Sequence, residues 1–332
     1  MVHSVPKGPA INASPWHEGE KRLQASVGMA ARMETIGRRV LRPFMTDQHR
    51  DFFNQLPFVV AGVVDKDGAP WATILADSPG FMHSPNPKLL QICHRPTNDD
   101  PASAGFFEGA GIGLLGIELH SRRRNRVNGT MSWLTDDGFG IQVEQTMGNC
   151  PKYISLRHYH QANSTEPTPG TAIEEATQLS PGDLETITST DSFFVASYTE
   201  KAGHRQADAS HRGGKPGFIR VDSEGLLTIP DFSGNLFFNT LGNILTNGKA
   251  GIVIPNYENG DLLQMTGSAE IILDSPEIAA FEGAERLWTF KPTRVVRRHG
   301  ALPIRWTFEA QSPHVRLLGS WEQMDANLKN GE

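Results

Sequence analysis

A charged, glycine-containing segment stands directly in front of an apolar strand-like run in the second half of the sequence. Ser210–Val221 reads S-H-R-G-G-K-P-G-F-I-R-V and places His211, Arg212 and Lys215 around two glycines. These side chains are the donors that hold a phosphate, and glycines let backbone N–H groups approach such a ligand closely. The segment predicts a phosphate site; the alternative is an exposed β-turn with incidental charges.

The composition excludes several classes of protein. The 332 residues suit two domains of about 150 residues each, with the composition of an ordinary soluble globular protein. A net charge of −6 leaves no basic excess to neutralise a nucleic acid. Any single arginine of the basic cluster Arg122–Arg126 is interpreted as part of a solvated strand end. We therefore expect no nucleic-acid partner.

Cysteines and apolar runs bear on location. Cys93 and Cys150 are far apart in sequence and form neither a disulfide framework nor a CxxC metal pair. No apolar run approaches the roughly 20 residues that span a bilayer. The opening M-V-H-S-V-P-K-G-P-A lacks the apolar core of a signal peptide. We expect a cytoplasmic protein with no membrane partner.

Short motifs recur in the same order in the two halves of the sequence, at an offset that drifts only from 135 to 138 residues. Chance matches would not keep one register, so we infer a duplicated domain. The matched pairs are Pro57–Gly62 with Ser192–Ser197, Pro79–Phe81 with Pro216–Phe218, Leu89–Ile92 with Leu226–Ile229, Gly113–Ile117 with Gly251–Pro255, and Arg126–Thr130 with Gln264–Ser268.

Each copy has the pattern of a mainly β domain with a few helices, an α+β fold class. Short apolar or alternating runs bounded by Gly, Pro, Asn or Asp predict strands, and six or so of them at this spacing suggest a small barrel. In the first copy these runs are Phe58–Val64, Trp71–Leu75, Leu89–Ile92, Gly113–Leu119, Arg126–Trp133 and Gly140–Glu144.

Helices are predicted over Glu18–Arg39 and Pro276–Phe290, and one before each copy, over Thr46–Gln55 and from Ser180 onwards. We divide the chain into a helical leader (1–45), a first barrel domain (46–161), a linker (162–178) and a second barrel domain (179–332).

The second copy resembles the FMN-binding split-barrel family of pyridoxamine 5'-phosphate oxidase, from Ser192 to about Leu273. Any one motif alone is weak, but their order and spacing together are fairly specific. The motifs are Ser210–Gly214, Pro216–Phe218, Pro230–Asn235 and Phe238–Ile244.

The first copy resembles the same family through Trp71–Thr73, Arg124–Gly129 and Asn149–Tyr153, and Trp16–Glu20 resembles the leader of its two-barrel members. The resemblance implies two tandem split barrels that form an intramolecular pseudo-dimer, with FMN as the cofactor between them. The implied cofactor-binding residues are Ser210, His211, Arg212, Gly213, Gly214, Pro230, Asp231, Asn235, Asn239 and Asn243 of the second copy and Arg124, Asn128 and Lys152 of the first.

The two copies differ at these positions. Our alignment sets Ala76 and Asp77 of the first copy against His211 and Arg212, and a carboxylate there would repel a phosphate. Conversely, the second copy has Leu262, Gln264 and Thr266 at the positions aligned with Arg124, Arg126 and Asn128 of the first copy. We therefore predict one intact FMN site per chain.

The resemblance implies an oxidoreductase that passes a hydride between FMN and a small molecule, with the flavin carrying the redox chemistry. Arg124 and Lys152 are predicted to stabilise the reduced ring, although Lys152 is equally well a solvated strand-end lysine. His17 is the candidate acid or base on a lid, unless the helix start packs on the outside. His158 and His160, without a third ligand nearby, do not predict a metal.

Two other functions stay open: a flavin-binding or flavin-sequestering protein without turnover, and a haem-binding split barrel. The phosphate segment argues against haem, which does not need it. The substrate is not identified, and the reductant is NAD(P)H, a separate reductase or the substrate itself. Either a monomer or a homodimer is compatible with a fused pair of barrels.

Overall fold

A computed structural model describes residues 14–162 and 173–330 of the chain. Residues 1–13 of the predicted leader and 163–172 of the predicted linker lie outside the described residues. No helix among the described residues is long and apolar enough to cross a membrane.

The first half of the chain forms a seven-stranded antiparallel sheet with the order β2-β1-β5-β6-β7-β4-β3. All six predicted runs coincide with strands. The strands are β1 (Phe58–Val64), β2 (Pro70–Ala76), β3 (Met82–Asn86), β4 (Leu89–Ile92), β5 (Gly111–Glu118), β6 (Arg123–Thr135) and β7 (Gly138–Asn149).

The second half forms a sheet with the order β11-β10-β14-β15-β16-β13-β12, and β9 (Ile173–Ala176) pairs with β16. A separate ribbon joins β8 (Leu156–Gln161) to β17 (Ile304–Ala310). The strands of the large sheet are β10 (Ser192–Lys201), β11 (His204–Gly213), β12 (Arg220–Val221), β13 (Leu227–Phe232), β14 (Lys249–Pro255), β15 (Leu262–Ile272) and β16 (Ala284–Arg298).

Both sheets thus have the same strand order, and the likeness extends to irregularities. The register shifts between Asn128 and Gly129 in β6, and between Thr266 and Gly267 in β15. A Cβ on Gly129 would lie 2.1 Å from the carbonyl oxygen of Gln142, and one on Gly267 would lie 2.0 Å from that of Lys291. The predicted mainly β, α+β class is confirmed, and the strands of both sheets are antiparallel.

The sheet register corrects the sequence alignment at β2 and β11. Val60 pairs with Ile74 and Leu115, and Phe194 pairs with His211 and Val253. His211 therefore corresponds to Ile74 rather than Ala76, and by the same register Arg212 corresponds to Leu75 rather than Asp77. The cause is the hairpin length, because residues 65–69 connect the first hairpin whereas residues 202–203 connect the second.

Helix caps follow the sequence more closely than helix lengths do. Thr46 caps α3 (Asp47–Asn54), and Ser180 forms a capping box at α4 (Pro181–Ser189), as predicted. The leader helix is split into α1 (Glu18–Ser26) and α2 (Ala30–Val40), because Gly28 takes a φ of +70° between them.

The helix predicted over Pro276–Phe290 is wrong beyond its first turn. Only Pro276–Ala280 is helical (α6), and residues from Ala284 onwards belong to β16, which is hydrogen-bonded to β13 and β15 on its two sides. Tertiary pairing here overrides the local apolar spacing. The remaining helices are α5 (Asn239–Asn247), α7 (Pro313–Arg316) and α8 (Trp321–Asn330).

The two halves pack against each other reciprocally. A Cβ on Gly113 in β5 would lie 2.5 Å from Cα of Asp208 in β11. A Cβ on Gly251 in β14, the equivalent glycine, would lie 2.2 Å from the carbonyl oxygen of Pro70 in β2. One apolar cluster contains residues of both halves, among them Val60. Glycine at these two positions allows the backbones of the two halves to approach this closely.

Candidate functional site

A cavity of about 120 Å³ lies where the two halves meet. The first half contributes the beginning of β6, the last residue of β7 and the segment after β7. The second half contributes the end of β11, the end of β13 and the loop into α5. Its lining residues are Arg124, Arg126, Asn149, Cys150, Lys152, Tyr153, Ser210, His211, Arg212, Gly213, Phe218, Pro230, Asp231, Phe232, Gly234, Asn235, Leu236, Phe238, Asn239, Thr240, Leu241 and Arg286.

The lining is strongly cationic. Five lining residues are Arg or Lys, and Asp231 is the one carboxylate among them. Asp231 is buried and pairs with two arginines at once: Arg286 Nε lies 3.0 Å from Oδ2, and Arg212 Nη1 donates to Oδ1. The phenyl face of Phe238 also lies 4.7 Å from the guanidinium of Arg286. The cavity therefore carries excess positive charge and favours an anion.

Several buried polar atoms of the lining have no hydrogen-bond partner among the described residues. They are Arg126 Nε, His211 Nδ1, Arg212 Nε and Thr240 Oγ1. Burial, followed by the nearby guanidinium of Arg124, holds the pKa of His211 well below its usual range, so the imidazole is neutral. Unpartnered buried donors cost free energy unless a ligand or water meets them, which indicates a polar ligand at this place.

Arg126 ties the two halves together at the back of the cavity. Its Nη1 lies 2.6 Å from Asn239 Oδ1 and 2.9 Å from Asp208 Oδ1, and its Nη2 donates to Ser210 Oγ over 2.6 Å. Asn128 Nδ2 donates to the same Asp208 carboxylate over 3.3 Å. Burial raises the pKa of Asp208, and the Arg126 guanidinium opposes that shift.

The segment after β7 reaches across to the second half. Arg124 Nε donates to the carbonyl oxygen of Cys150 over 2.7 Å, so its position depends on this segment. Tyr153 Oη and Lys152 Nζ both donate to the carbonyl oxygen of Ser233, over 3.0 Å and 3.4 Å. Cations from one half are thereby fixed beside the Arg212–Asp231 pair of the other.

The predicted glycines have different local roles. A Cβ on Gly213 would lie 2.2 Å from the carbonyl oxygen of Tyr153, so glycine allows the two halves to approach. Gly214 does not line the cavity: its N–H donates to the carbonyl oxygen of Asp191 over 3.0 Å. The expectation that both glycine N–H groups face the ligand is not met at Gly214.

The structure brings most of the predicted site residues to this cavity and leaves four outside it, namely His17, Asn128, Gly214 and Asn243. Asn128 faces Asp208, and Asn243 donates to Ser197 Oγ over 3.0 Å inside the second half. Those that line the cavity are Arg124, Lys152, Ser210, His211, Arg212, Gly213, Pro230, Asp231, Asn235 and Asn239.

His17, the predicted acid or base, also lies elsewhere. It is the N-cap of α1, where Nδ1 accepts from the N–H of Gly19 over 3.2 Å. Burial lowers its pKa to about 4. His17 lines a second, wider cavity of about 1,060 Å³ that also borders Asn128. His17 therefore lies at the start of a packed helix, which agrees better with the second of the two alternatives than with a lid over the cofactor.

Two residues that the sequence analysis missed belong to the site. Arg286 was hidden by the wrong helix prediction, because only the pairing of β16 with β13 sets it opposite Asp231. Glu20 is buried behind Asn239 and accepts from its Nδ2 over 2.5 Å. No spacing in the sequence could indicate a contact between residues so far apart.

The position related to this cavity by the common strand order contains a hydrogen-bond network. By the sheet register, Thr73 and Gln264 correspond to Ser210 and Arg126, and Arg298 corresponds to Asn149. All three contact the buried Asp100: Gln264 Nε2 donates over 3.0 Å, Arg298 Nη1 over 2.9 Å, and Thr73 Oγ1 also donates.

No group of three or more His, Cys, Asp or Glu side chains that could hold a metal occurs within residues 14–162 and 173–330. His158 instead contacts Glu309 on the exposed ribbon, with Nε2 and Oε2 2.6 Å apart.

No protein-family model matches this sequence, and no curated protein matches it. Solved structures that resemble parts of the chain include a HupZ variant from Group A Streptococcus (17% identity, 35% of this chain and 96% of that one, TM-score 0.28). Others are a putative pyridoxamine 5'-phosphate oxidase from Lactobacillus delbrueckii (18%, 32% and 95%, TM-score 0.26) and an FAD binding protein from Mycobacterium smegmatis (12%, 38% and 98%, TM-score 0.25). TM-scores this low do not establish a common fold, and neither the site nor its ligand is inferred from them.

Proposed function

We propose that the chain binds one FMN between its two halves, with the phosphate in the cationic cavity, and acts as an FMN-dependent oxidoreductase. The observation that carries this proposal is the charge of the cavity, where five cationic side chains and one carboxylate surround buried donors without partners. A phosphate dianion supplies acceptor oxygens for such donors.

The donor set fits the phosphate end of FMN. Arg212 presents a guanidinium whose Nε is unpartnered, and Arg124 and Lys152 approach from the other half. Asn235 and the start of α5 lie on the same wall. A volume of about 120 Å³ matches a phosphate group better than a complete flavin, since whole-ligand pockets are typically about 300–1,000 Å³. The isoalloxazine ring would therefore extend beyond the cavity.

The same proposal includes two tandem split barrels paired as an intramolecular pseudo-dimer, in a chain related to the pyridoxamine 5'-phosphate oxidase group. Identical strand order, equivalent register shifts in β6 and β15, and the reciprocal contacts of Gly113 and Gly251 support it. Each copy supplies one face of the interface, as two subunits of a dimer would.

One site per chain follows from the asymmetry of the halves. Where the first site has Arg126 and Ser210, its counterpart has Gln264 and Thr73, both hydrogen-bonded to Asp100. At the counterpart, Leu75 is equivalent to Arg212 and Leu262 to Arg124, and the arginine present there, Arg298, is paired with the buried Asp100. A phosphate would therefore lack two of the cations that are proposed to bind it, which supports one FMN per chain.

Bound FMN would supply hydride transfer to or from a small-molecule substrate. The chain contributes binding and electrostatics: Arg124 and Lys152 keep positive charge at the wall contributed by the first half, and Arg126 is held there by Asp208. We propose NAD(P)H or a separate reductase as the source of electrons. A flavin-sequestering protein would use the same site without turnover.

An absorbance spectrum of the purified protein tests the proposal first, followed by release and quantitation of the chromophore. We expect a flavin spectrum with one FMN per chain, or uptake of one equivalent by colourless protein. Anaerobic bleaching by NADH or NADPH then separates an oxidoreductase from a storage protein. A sharp Soret band, or a colourless protein that takes up no FMN, would overturn the flavin assignment.

A further inference from the structure

Helix α1 packs on α5 so closely that their backbones touch. A Cβ on Gly19 would lie 2.0 Å from the carbonyl oxygen of Gly242, and one on Gly242 would lie 2.7 Å from the backbone nitrogen of Glu20. The indole of Trp16 packs on Phe237 with ring centroids 5.0 Å apart. The leader is therefore fixed against the loop and helix that form one wall of the cationic cavity.

Glu20 extends this contact into a chain of hydrogen bonds. Its Oε1 accepts from Asn239 Nδ2 over 2.5 Å, and its Oε2 accepts from the backbone N–H of His17 over 2.9 Å. Asn239 Oδ1 in turn accepts from Arg126 Nη1 over 2.6 Å. Since Asn239 offers its oxygen to the arginine, its amide nitrogen requires an acceptor on the other side, and Glu20 supplies it.

We propose that Glu20 is a positioning residue of the cavity, which orients Asn239 and thereby Arg126, so that an anionic ligand binds tightly only while α1 is docked on α5. This inference rests on the proposed function, in that the cavity is a ligand site. It assigns a role in that site to Glu20 of the leader, although Glu20 itself lines neither of the two cavities.

The charges around Glu20 should make the affinity of the cavity for an anionic ligand depend on pH. The imidazole of His17 lies 3.6 Å away on α1, Arg126 faces Glu20 from β6, Asp208 from β11, and α5 contributes only the neutral Asn239. Burial raises the pKa of Glu20 to about 8. Below that pH the carboxyl is neutral; above it, a second negative charge joins Asp208 and competes with the ligand for Arg126.

The test measures FMN affinity by fluorescence quenching from pH 6.5 to 9.5 in the full chain and three variants. We expect Glu20→Ala to weaken FMN binding at least tenfold at pH 7, and Glu20→Gln to remain within about threefold. Wild-type affinity should fall as the pH rises through about 8, and Glu20→Gln should not show this fall. Glu18→Gln is the matched control, because Glu18 is exposed and pairs only with Lys21 among the described residues.

Equal affinity in Glu20→Ala and wild type, or the same pH profile in Glu20→Gln and wild type, would overturn the inference. If Glu20→Ala does not fold, the pH profile of Glu20→Gln decides alone. Inorganic phosphate, followed by thermal shift, is the second probe. If it stabilises wild type while FMN does not bind, the FMN assignment fails and Glu20 is judged by phosphate; if neither binds, both proposals fail.

Discussion

The guanidinium of Arg126 lies 2.9 Å from the carboxylate of Asp208, and this buried pair joins the first half of the chain to the second. Gln264 is the equivalent of Arg126, and Trp71 is the equivalent of Asp208. Neither equivalent is charged, so neither half contains an oppositely charged residue that could take the place of the partner. A buried charge without its partner costs several kcal/mol. The pair therefore favours one arrangement of the halves, and it holds Arg126 at the cavity.

Replacing Arg212 with alanine should weaken FMN binding at least tenfold, as expected for the loss of a charge-assisted contact to phosphate. The truncation also leaves Asp231 with Arg286 as its remaining arginine partner, which lowers the positive charge facing the ligand. Titration with FMN measures the effect. Arg39→Ala, at an exposed position of α2, is the control. Unchanged FMN affinity in Arg212→Ala would show that the phosphate does not bind beside Arg212.

Replacing Asp77 with alanine should leave the stoichiometry at one FMN per chain. Asp77 follows β2 and lies 3.5 Å from His94 on the surface of the first half, away from the cavity lining. The position equivalent to Arg212 is the apolar Leu75, so nothing in the first half binds phosphate in its place. Quantitation of released FMN checks this. A stoichiometry of zero would show that the phosphate binds in the first half, near Asp77, and not beside Arg212.

The strands of the first half and the position of Ser210–Gly213 at the cavity are accessible from the sequence, because they depend on short motifs and their order. The offset between the matched motifs already aligns Arg124, Arg126 and Asn128 with Leu262, Gln264 and Thr266. The register of β6 and β15 gives the same equivalences. At β2 the same method fails by two residues, since a difference in hairpin length is invisible to an alignment of short motifs.

Other parts of the site depend on pairing that no local pattern encodes. Apolar residues around Leu287 have a spacing compatible with a helix, but two neighbouring strands turn the segment into β16 and bring Arg286 to Asp231. The contact of Glu20 with Asn239 and that of Asp100 with Arg298 are likewise long-range. Side-chain networks of this kind require the fold before they can be recognised.

Replacing Asp100 with asparagine should lower the free energy of unfolding by about 3 kcal/mol, because the buried Arg298 loses its nearer and more deeply buried carboxylate partner. FMN stoichiometry should stay at one, since the variant adds no cation to the counterpart position. Urea unfolding and FMN quantitation measure the two effects. Asp99→Asn is the matched control: Asp99 lies 3.6 Å from Arg298 Nε but is partly exposed, so we expect a loss below about 1 kcal/mol. Equal losses in both variants would contradict the prediction.

Replacing His17 with asparagine should make the chain less sensitive to acid. The pKa of His17 is lowered to about 4 in the folded chain, against an ordinary value of 6.5, so the unfolded chain binds the proton more readily. The free energy of unfolding should therefore fall by up to about 3 kcal/mol as the pH drops from 6.5 to 4. Protonation also removes the Nδ1 acceptor that caps α1.

Asparagine is a good N-cap that does not titrate in this range, so His17→Asn should lose less stability over the same interval. Urea unfolding at pH 4, 5, 6 and 7 gives the comparison, with the exposed His158→Asn as the control. Parallel curves for wild type and His17→Asn would show that another group causes the acid sensitivity.

Replacing Gly242 with alanine should undock the leader. Glycine is ordinarily the weaker residue inside a helix by about 1 kcal/mol, so alanine would stabilise α5 if space were available. Here the added Cβ would lie 2.7 Å from the backbone nitrogen of Glu20 and 2.8 Å from its Cγ. Overpacking against a backbone costs about 1–3 kcal/mol and cannot be relieved by a change of rotamer. We expect a net loss of about 2 kcal/mol, and faster amide hydrogen exchange in α1 than in α3.

Gly182 in α4 is the matched control for this variant, because a Cβ there would meet only Ser180 Oγ, at 3.8 Å. Gly182→Ala should be neutral or slightly stabilising, and hydrogen exchange in α1 should not change. If Gly242→Ala were as stable as Gly182→Ala and kept α1 protected, the backbone contact between α1 and α5 would not be what fixes the leader. The Trp16–Phe237 contact and the hydrogen bond of Asn239 to Glu20 would then have to hold α1 in place.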